Sequence, residues 1–472
     1  MKIMRAIIFI LFLLKISTAC SDFLKEESQD EVIVRTTADY SEFLLGSGYP
    51  QPAITYPYET LSLLDDDVEV NESRLTSDEN SALLSRFPVF TWQPDVWERV
   101  QTMHESYSGS YERIMGCNAV LDGIDDAIGT QYERDRIKAE ALAVRAYLYF
   151  QLVNIYGEPY NENREALGVP LKLTAGIVEN GVARDRVVTV YNRMVTDLEM
   201  ASSLLENYPK TRGDYRINYS SVNILLSRVY LYMERWDDAI TAANRAIKTG
   251  GVLTDYTKVD ASSFYFTDYE HSEVEWLYGA NNRNQGMSSC MIPSSDLISR
   301  YERNDCRLLL YFSSDMRTVY KQRWNGTVRP ANTLRVSEAY LNRAEAYMQK
   351  GNGMTNALAD LNELRRHRIK EYTEATTTTL EEIRLERRLE LCFEEHRWFD
   401  LRRYGMPAIS HRYKNKSTDA WLEYTLKERD PLYTFPIPNV IIEKNSSLEQ
   451  NASAYEQERT GVTVNIKNEN HE

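Results

Sequence analysis

Two adjacent carboxylates, Glu394 and Glu395, are the first residues in this chain that suggest chemistry. Acid–base cleavage of a glycosidic bond needs two carboxyl groups converging on it from about 5–10 Å apart. Here the pair sits in a charged run that reads as helix, where neighbours point about 100° apart and do not face one substrate. Arg387 with Glu390, Glu394 with Arg397, and Arg397 with Asp400 are spaced i,i+3 for ion pairing. Ile383, Leu389, Phe393 and Phe399 supply a narrow apolar side, so the run reads as an ion-paired structural helix. Asp65, Asp66 and Asp67 lack the alternation and the distal Glu of a calcium loop, and they read as a solvated acidic loop. The His residues form no HExxH, and Cys117, Cys290, Cys306 and Cys392 are scattered without a CxxC, which argues against a zinc site or redox pair. No nucleophile elbow or phosphate-cradling Gly loop is visible. No catalytic residue, metal or cofactor is expected.

Binding chemistry is better represented. Sugars offer hydroxyls and apolar C–H faces, and a site for them needs flat aromatic platforms beside Asn, Asp, Arg and Gln. Of the Trp residues, Trp97, Trp236 and Trp398 fall on helical patterns and read as core. Trp276 lies in a strand-like run with Tyr278 and also reads as core; Trp92, Trp324 and Trp421 are left. Trp92 and Trp324 stand equally as ligand platforms or as loop packing. The polar loop holding Asn281, Arg283 and Asn284 follows Tyr278 and carries hydrogen-bonding groups of the right kind. The candidate ligand set is therefore Trp92, Trp324, Tyr278, Asn281, Arg283 and Asn284.

The elements that must position these residues are mostly helical. Ala139, Leu142, Ala143, Ala146, Tyr149, Phe150, Val153 and Tyr156 form one 3.6-period face, stopped by Gly157 and Pro159. A helix over about 187–206 carries Val190, Met194, Leu198, Ala201 and Leu205. Leu226, Ser227 and Tyr230, followed by Ala239, Ala243 and Ala246, have the spacing of a tetratricopeptide helix pair, and Leu341, Ala344, Tyr347, Ala357, Leu361 and Leu364 repeat it. The expected architecture is all-α in the main: helix pairs at about 139–157 with 187–206, 221–249 and 334–368, plus a few short strands. Irregular segments at about 40–95, 158–186, 250–333 and 405–435 are rich in Tyr, Asn, Asp, Gly and Pro, and long loops on a rigid scaffold suit a binding protein.

The N-terminus reads as a secretion signal over residues 1–19. Lys2 and Arg5 precede an apolar run from Ile7 to Leu14, too short to span a bilayer. Ser17, Thr18 and Ala19 lead into Cys20, as in a bacterial lipoprotein signal, although Ser17 stands where Leu is usual. Cys20 is the expected lipidated first residue of a single domain over 20–472. The net charge of −15 argues against nucleic acid as a partner, which needs a basic face.

Four stretches resemble the SusD/RagB family of nutrient-binding outer-membrane lipoproteins. They are Glu140 to Phe150 (EALAVRAYLYF) with Tyr156 and Gly157, and Arg335 to Ala346 (RVSEAYLNRAEA). The others are Glu386 to Gly405 (ERRLELCFEEHRWFDLRRYG), and Phe435 to Pro438 (FPIP) with Asn445, Gln450 and Asn451. The resemblance implies a scaffold role for the third stretch and a sugar-stacking Trp in a loop such as that of Trp92. It also implies a surface protein, lipid-anchored to the outer membrane, that binds an oligosaccharide or polysaccharide. The implied partner is a SusC-like TonB-dependent transporter, over which the protein would sit as a lid. Asp22, Glu26 and Glu27, just after Cys20, are compatible with export to the cell exterior. A glycan-degrading enzyme and a tetratricopeptide peptide-binding scaffold are the alternatives.

Overall fold

The computed structural model describes residues 34–50, 61–99, 104–176, 178, 181–208, 216–268, 271–278, 290–321 and 332–464. The signal segment, Cys20, Asn281, Arg283, Asn284 and Trp324 lie outside the described residues. The longer helices, in chain order, are α1 (Thr37–Ser47), α2 (Ser81–Phe90), α3 (His104–Gly123), α4 (Gln131–Tyr156) and α5 (Val187–Leu205). They continue with α6 (Tyr219–Tyr232), α7 (Trp236–Thr249), α8 (Val336–Gln349), α9 (Met354–Arg366), α10 (Leu380–Leu391) and α11 (Arg397–Arg403). The strands are β1 (Val68–Val70), β2 (Val274–Tyr278), β3 (Met291–Pro293), β4 (Asn332–Arg335), β5 (Ile409–Tyr413), β6 (Trp421–Leu426) and β7 (Val462–Val464). The fold is mainly helical with a few short strands.

Local chemistry explains several boundaries. Thr130 and Glu133 form a reciprocal capping box, so α4 starts at Gln131, well before its apolar stripe. Thr36 with Asp39, Asn218 with Ser221, and Thr379 with Glu382 do the same for α1, α6 and α10. Residues 40–95 are not simply irregular: most of α1 and all of α2 fall there. The sequence conceals α2 because Pro88 lies inside it and reads as a helix breaker. The helix stops two residues after Pro88, and Trp92 follows in the left-handed region at φ 51°.

The helices pack as neighbours, α4 on α5, α6 on α7 and α8 on α9, with α7 also against α8. Ala239, Ala243 and Ala246 are buried in the α6–α7 contact, where small side chains let the backbones approach. Gly116 of α3 serves the same end: a Cβ there would lie 2.2 Å from the Ser47 carbonyl oxygen at the end of α1. Among the described residues, no helix is long and apolar enough to cross a membrane.

The charged run 386–405 departs from the expected single helix. It breaks into α10 and α11, with Phe393 and Glu395 in left-handed conformations between them. The expected i,i+3 pairs give way to long-range ones. Arg387 bonds Asp400 at 2.8 Å, Glu390 meets Arg307 at 3.0 Å and Arg368 at 2.8 Å, and Arg397 reaches back to Asp66 at 2.7 Å. Arg335 bonds Glu394 at 2.8 Å and Arg368 bonds Glu273 at 2.7 Å, all fully buried. Burial alone would raise the Glu390 pKa, but the Arg368, Arg335 and Arg307 guanidiniums outweigh it and hold the carboxyl well below its usual range. These charges hold the α10 segment to elements far apart in sequence, a scaffold role executed by tertiary rather than helical pairing.

A cleft floored by two small sheets

Two antiparallel pairs build the walls of an open cleft of about 760 Å³. On one side β1 pairs with β3, placing Glu69 opposite Ile292. On the other, β5 pairs with β6, and Arg412 stands opposite Glu423. The alternation along β5 is clean: Ile409, His411 and Tyr413 are buried while Ser410 and Arg412 face out. Trp421 lies two residues from Glu423 and so shares its outward face; it is half-buried and lines the cleft. Lys414 holds its ammonium 4.6 Å from the Trp421 ring centroid while pairing with Glu72. That contact fixes the indole's orientation from one direction.

Polar side chains line the wall beside Val68, Val70, Phe90 and Ile292. The Ser295 backbone N–H and hydroxyl both donate to Glu69 at 3.1 Å. Asp296 accepts from Arg388 and Arg300, each at 2.8 Å. Arg317 extends from the neighbouring segment and donates to the Ser73 hydroxyl. A half-buried aromatic plane that lines a cleft beside acceptors and donors is what a hydroxylated ligand with apolar faces requires.

The acidic triplet at this edge is not a solvated loop. Asp65 and Asp67 are buried; Arg388 bonds Asp67 at 2.7 Å, and Arg397 grips Asp66 through two nitrogens at 2.7 and 2.8 Å. Two guanidiniums thus already pair with Asp66 and Asp67. Burial, with Asp67 and Asp66 beside it, raises the Asp65 pKa well above the usual range.

Two expected ligand residues are placed elsewhere than the ligand reading requires. Trp92 is fully buried: its indole N–H donates to the Leu64 carbonyl at 3.0 Å, and its ring stacks on His411 at 4.2 Å. Its left-handed backbone turns the side chain beneath the cleft rather than into it, so packing is the reading the structure gives it. Tyr278 is likewise buried, stacked on Trp276 at 4.6 Å and against Tyr147 at 4.7 Å. Both are corrected from ligand contact to core. Trp421, Glu69, Arg317, Arg412 and Glu423 carry the cleft instead. Sequence reasoning kept Trp421 among the unassigned Trp residues but lost the rest in segments read as irregular. The alternation in β5 was the signal available for Arg412.

Glu394 and Glu395 do not converge on the cleft. Glu394 serves Arg335 and Lys321, whereas Glu395 meets the Asn332 amide.

Comparison with known proteins agrees with this architecture. Residues 263–455 match the model of the SusD family (SusD_RagB), and residues 22–231 match a SusD-like model described as starch-binding, associating with the outer membrane. The chain belongs to the SusD/RagB family. A SusD-like protein of Formosa agariphila is 22% identical, with 95% of this chain and 99% of that protein covered. A SusD superfamily crystal structure from Bacteroides thetaiotaomicron superposes with a TM-score of 0.70 at 25% identity, over 88% of this chain and 99% of that one. A SusD-like carbohydrate-binding protein from Bacteroides vulgatus gives a TM-score of 0.67 at 21% identity, covering 88% and 97%. SusD-family proteins bind rather than catalyse, and the family is associated with the outer membrane.

Proposed function

We propose that this SusD/RagB protein is a lipid-anchored binder on the cell exterior. It captures an oligosaccharide or polysaccharide and delivers it to a SusC-like TonB-dependent transporter. The observation that carries the reading is the cleft that sets the half-buried Trp421 among fixed carboxylate, guanidinium and hydroxyl groups. Support comes from similar proteins described as carbohydrate-binding and laminarin-binding, and from the lipoprotein-like signal ending at Cys20. Trp324, Asn281, Arg283 and Asn284 stay proposed contacts on sequence grounds. Their segments adjoin β3 and the stretch carrying Arg317, both of which wall the cleft.

The test is a glycan array followed by calorimetric titration of wild type and Trp421→Ala with the best binder. Loss of a stacking platform should cost about 2 kcal/mol, roughly thirtyfold in affinity. Unchanged affinity in the variant would remove the cleft from the binding site, and an empty array would refute the carbohydrate reading.

A further inference from the structure

We infer that the cleft takes an uncharged glycan and rejects sulfated or uronate-bearing chains, an inference that rests on the carbohydrate-binding reading. Five carboxylates line the cleft, Asp66, Glu69, Glu72, Asp296 and Glu423, against two guanidiniums, those of Arg317 and Arg412. Most cations nearby are committed, while the exposed Arg317 guanidinium donates to the Ser73 hydroxyl and, among the described residues, to no carboxylate. Arg397 holds Asp66, Lys414 holds Glu72, Arg300 and Arg388 hold Asp296, and Arg412 lies 3.6 Å from Glu423. The Lys414 side chain is only 6% exposed, shut between Glu72 and the Trp421 ring, so its ammonium is not offered to the cleft. Glu69 accepts from Ser295 and, among the described residues, is paired with no cation.

An incoming sulfate or carboxylate could meet Arg317 or Arg412 only while lying beside a row of five carboxylates, and like-charge juxtaposition is strongly penalised. Hydroxyls meet the opposite situation. A carboxylate has about four acceptor sites, so one already paired with Arg can still accept from a sugar hydroxyl. Ser410, Arg412 and Arg317 can donate from the same walls. Trp421 adds an apolar plane for the C–H face of a ring.

The experiment compares neutral oligosaccharides derived from laminarin and starch with oligogalacturonates and sulfated galactan oligosaccharides of equal length. It is run on the full mature protein at low and high salt. Neutral chains should bind at least about tenfold more tightly at low salt, with an affinity that salt changes by less than about twofold. Glu69→Gln should narrow the gap by improving the anionic chains, and this gain should shrink as salt rises. Anionic chains that bind as tightly as neutral ones, with binding lost in Trp421→Ala, would overturn this inference and leave the carbohydrate reading standing. If no chain of either class binds, both fall together.

Discussion

Arg387 and Asp400 lie on separate helices, α10 and α11, and meet through Nε and Oδ2 at 2.8 Å in the buried interior. The pair spans a bend in which Phe393 and Glu395 both adopt left-handed backbone conformations. Asp400 also accepts from Arg403 at 2.8 Å, and its pKa reflects the balance. Burial raises it, but Arg387 and Arg403 pull harder and leave it below the usual carboxylate range. Asp400→Ala should therefore leave the buried Arg387 guanidinium without its carboxylate, while Arg403 keeps Glu345, and cost roughly 3–5 kcal/mol. Urea denaturation of the variant checks this; a loss under about 1 kcal/mol would mean the bend is held by packing alone.

Glu395 behaves in the opposite way. Burial pushes its pKa up to about 8, against the pull of Arg228 and the Asn332 amide. Its unfolded value is about 4.3, so the fold prefers the protonated acid. The stability this preference gives is fully present below about pH 4.3 and is lost as pH rises through about 8. Glu395→Gln keeps the uncharged shape. It should match wild type near pH 4 and exceed it by a few kcal/mol near pH 9. Denaturation midpoints measured across that range are the check, and a difference that does not vary with pH would contradict the protonated state of this partly buried group.

The Trp residues divide by what they touch. Trp92→Ala should cost roughly 3–5 kcal/mol of stability, because it empties a core site and leaves the Leu64 carbonyl without its donor. Trp421→Ala should lower the melting temperature little while weakening glycan binding. Thermal melts of the two variants side by side decide the matter. Equal, small losses of stability would return Trp92 to the list of candidate platforms.

Attachment is separable from binding. Cys20→Ala should move the protein from the membrane to the soluble fraction and abolish palmitate labelling, with glycan affinity in solution unchanged. A variant that still labels and sediments with membranes would end the lipoprotein reading.

Much of the scaffold was written in the sequence because its signals are local. The 3.6-period stripe from Ala139 to Tyr156 and the spaced alanines at 239, 243 and 246 each report the face a helix must bury, whatever lies opposite. The motif runs that carry the family likeness are local too. The partners of charges were not legible. Arg397 sits three residues from both Glu394 and Asp400, yet it bonds Asp66. A left-handed residue between α10 and α11 redirects every side chain that follows, and no periodicity announces it. Trp92 was undecidable for the same reason: a loop Trp before a helix can face out or in. Only the fold, by bringing His411 and the Leu64 carbonyl to its ring, turned it inward. The cleft is likewise a tertiary product. Glu69 and Trp421 stand far apart in the chain and share a site because two short sheets close on each other, a relation no single segment encodes.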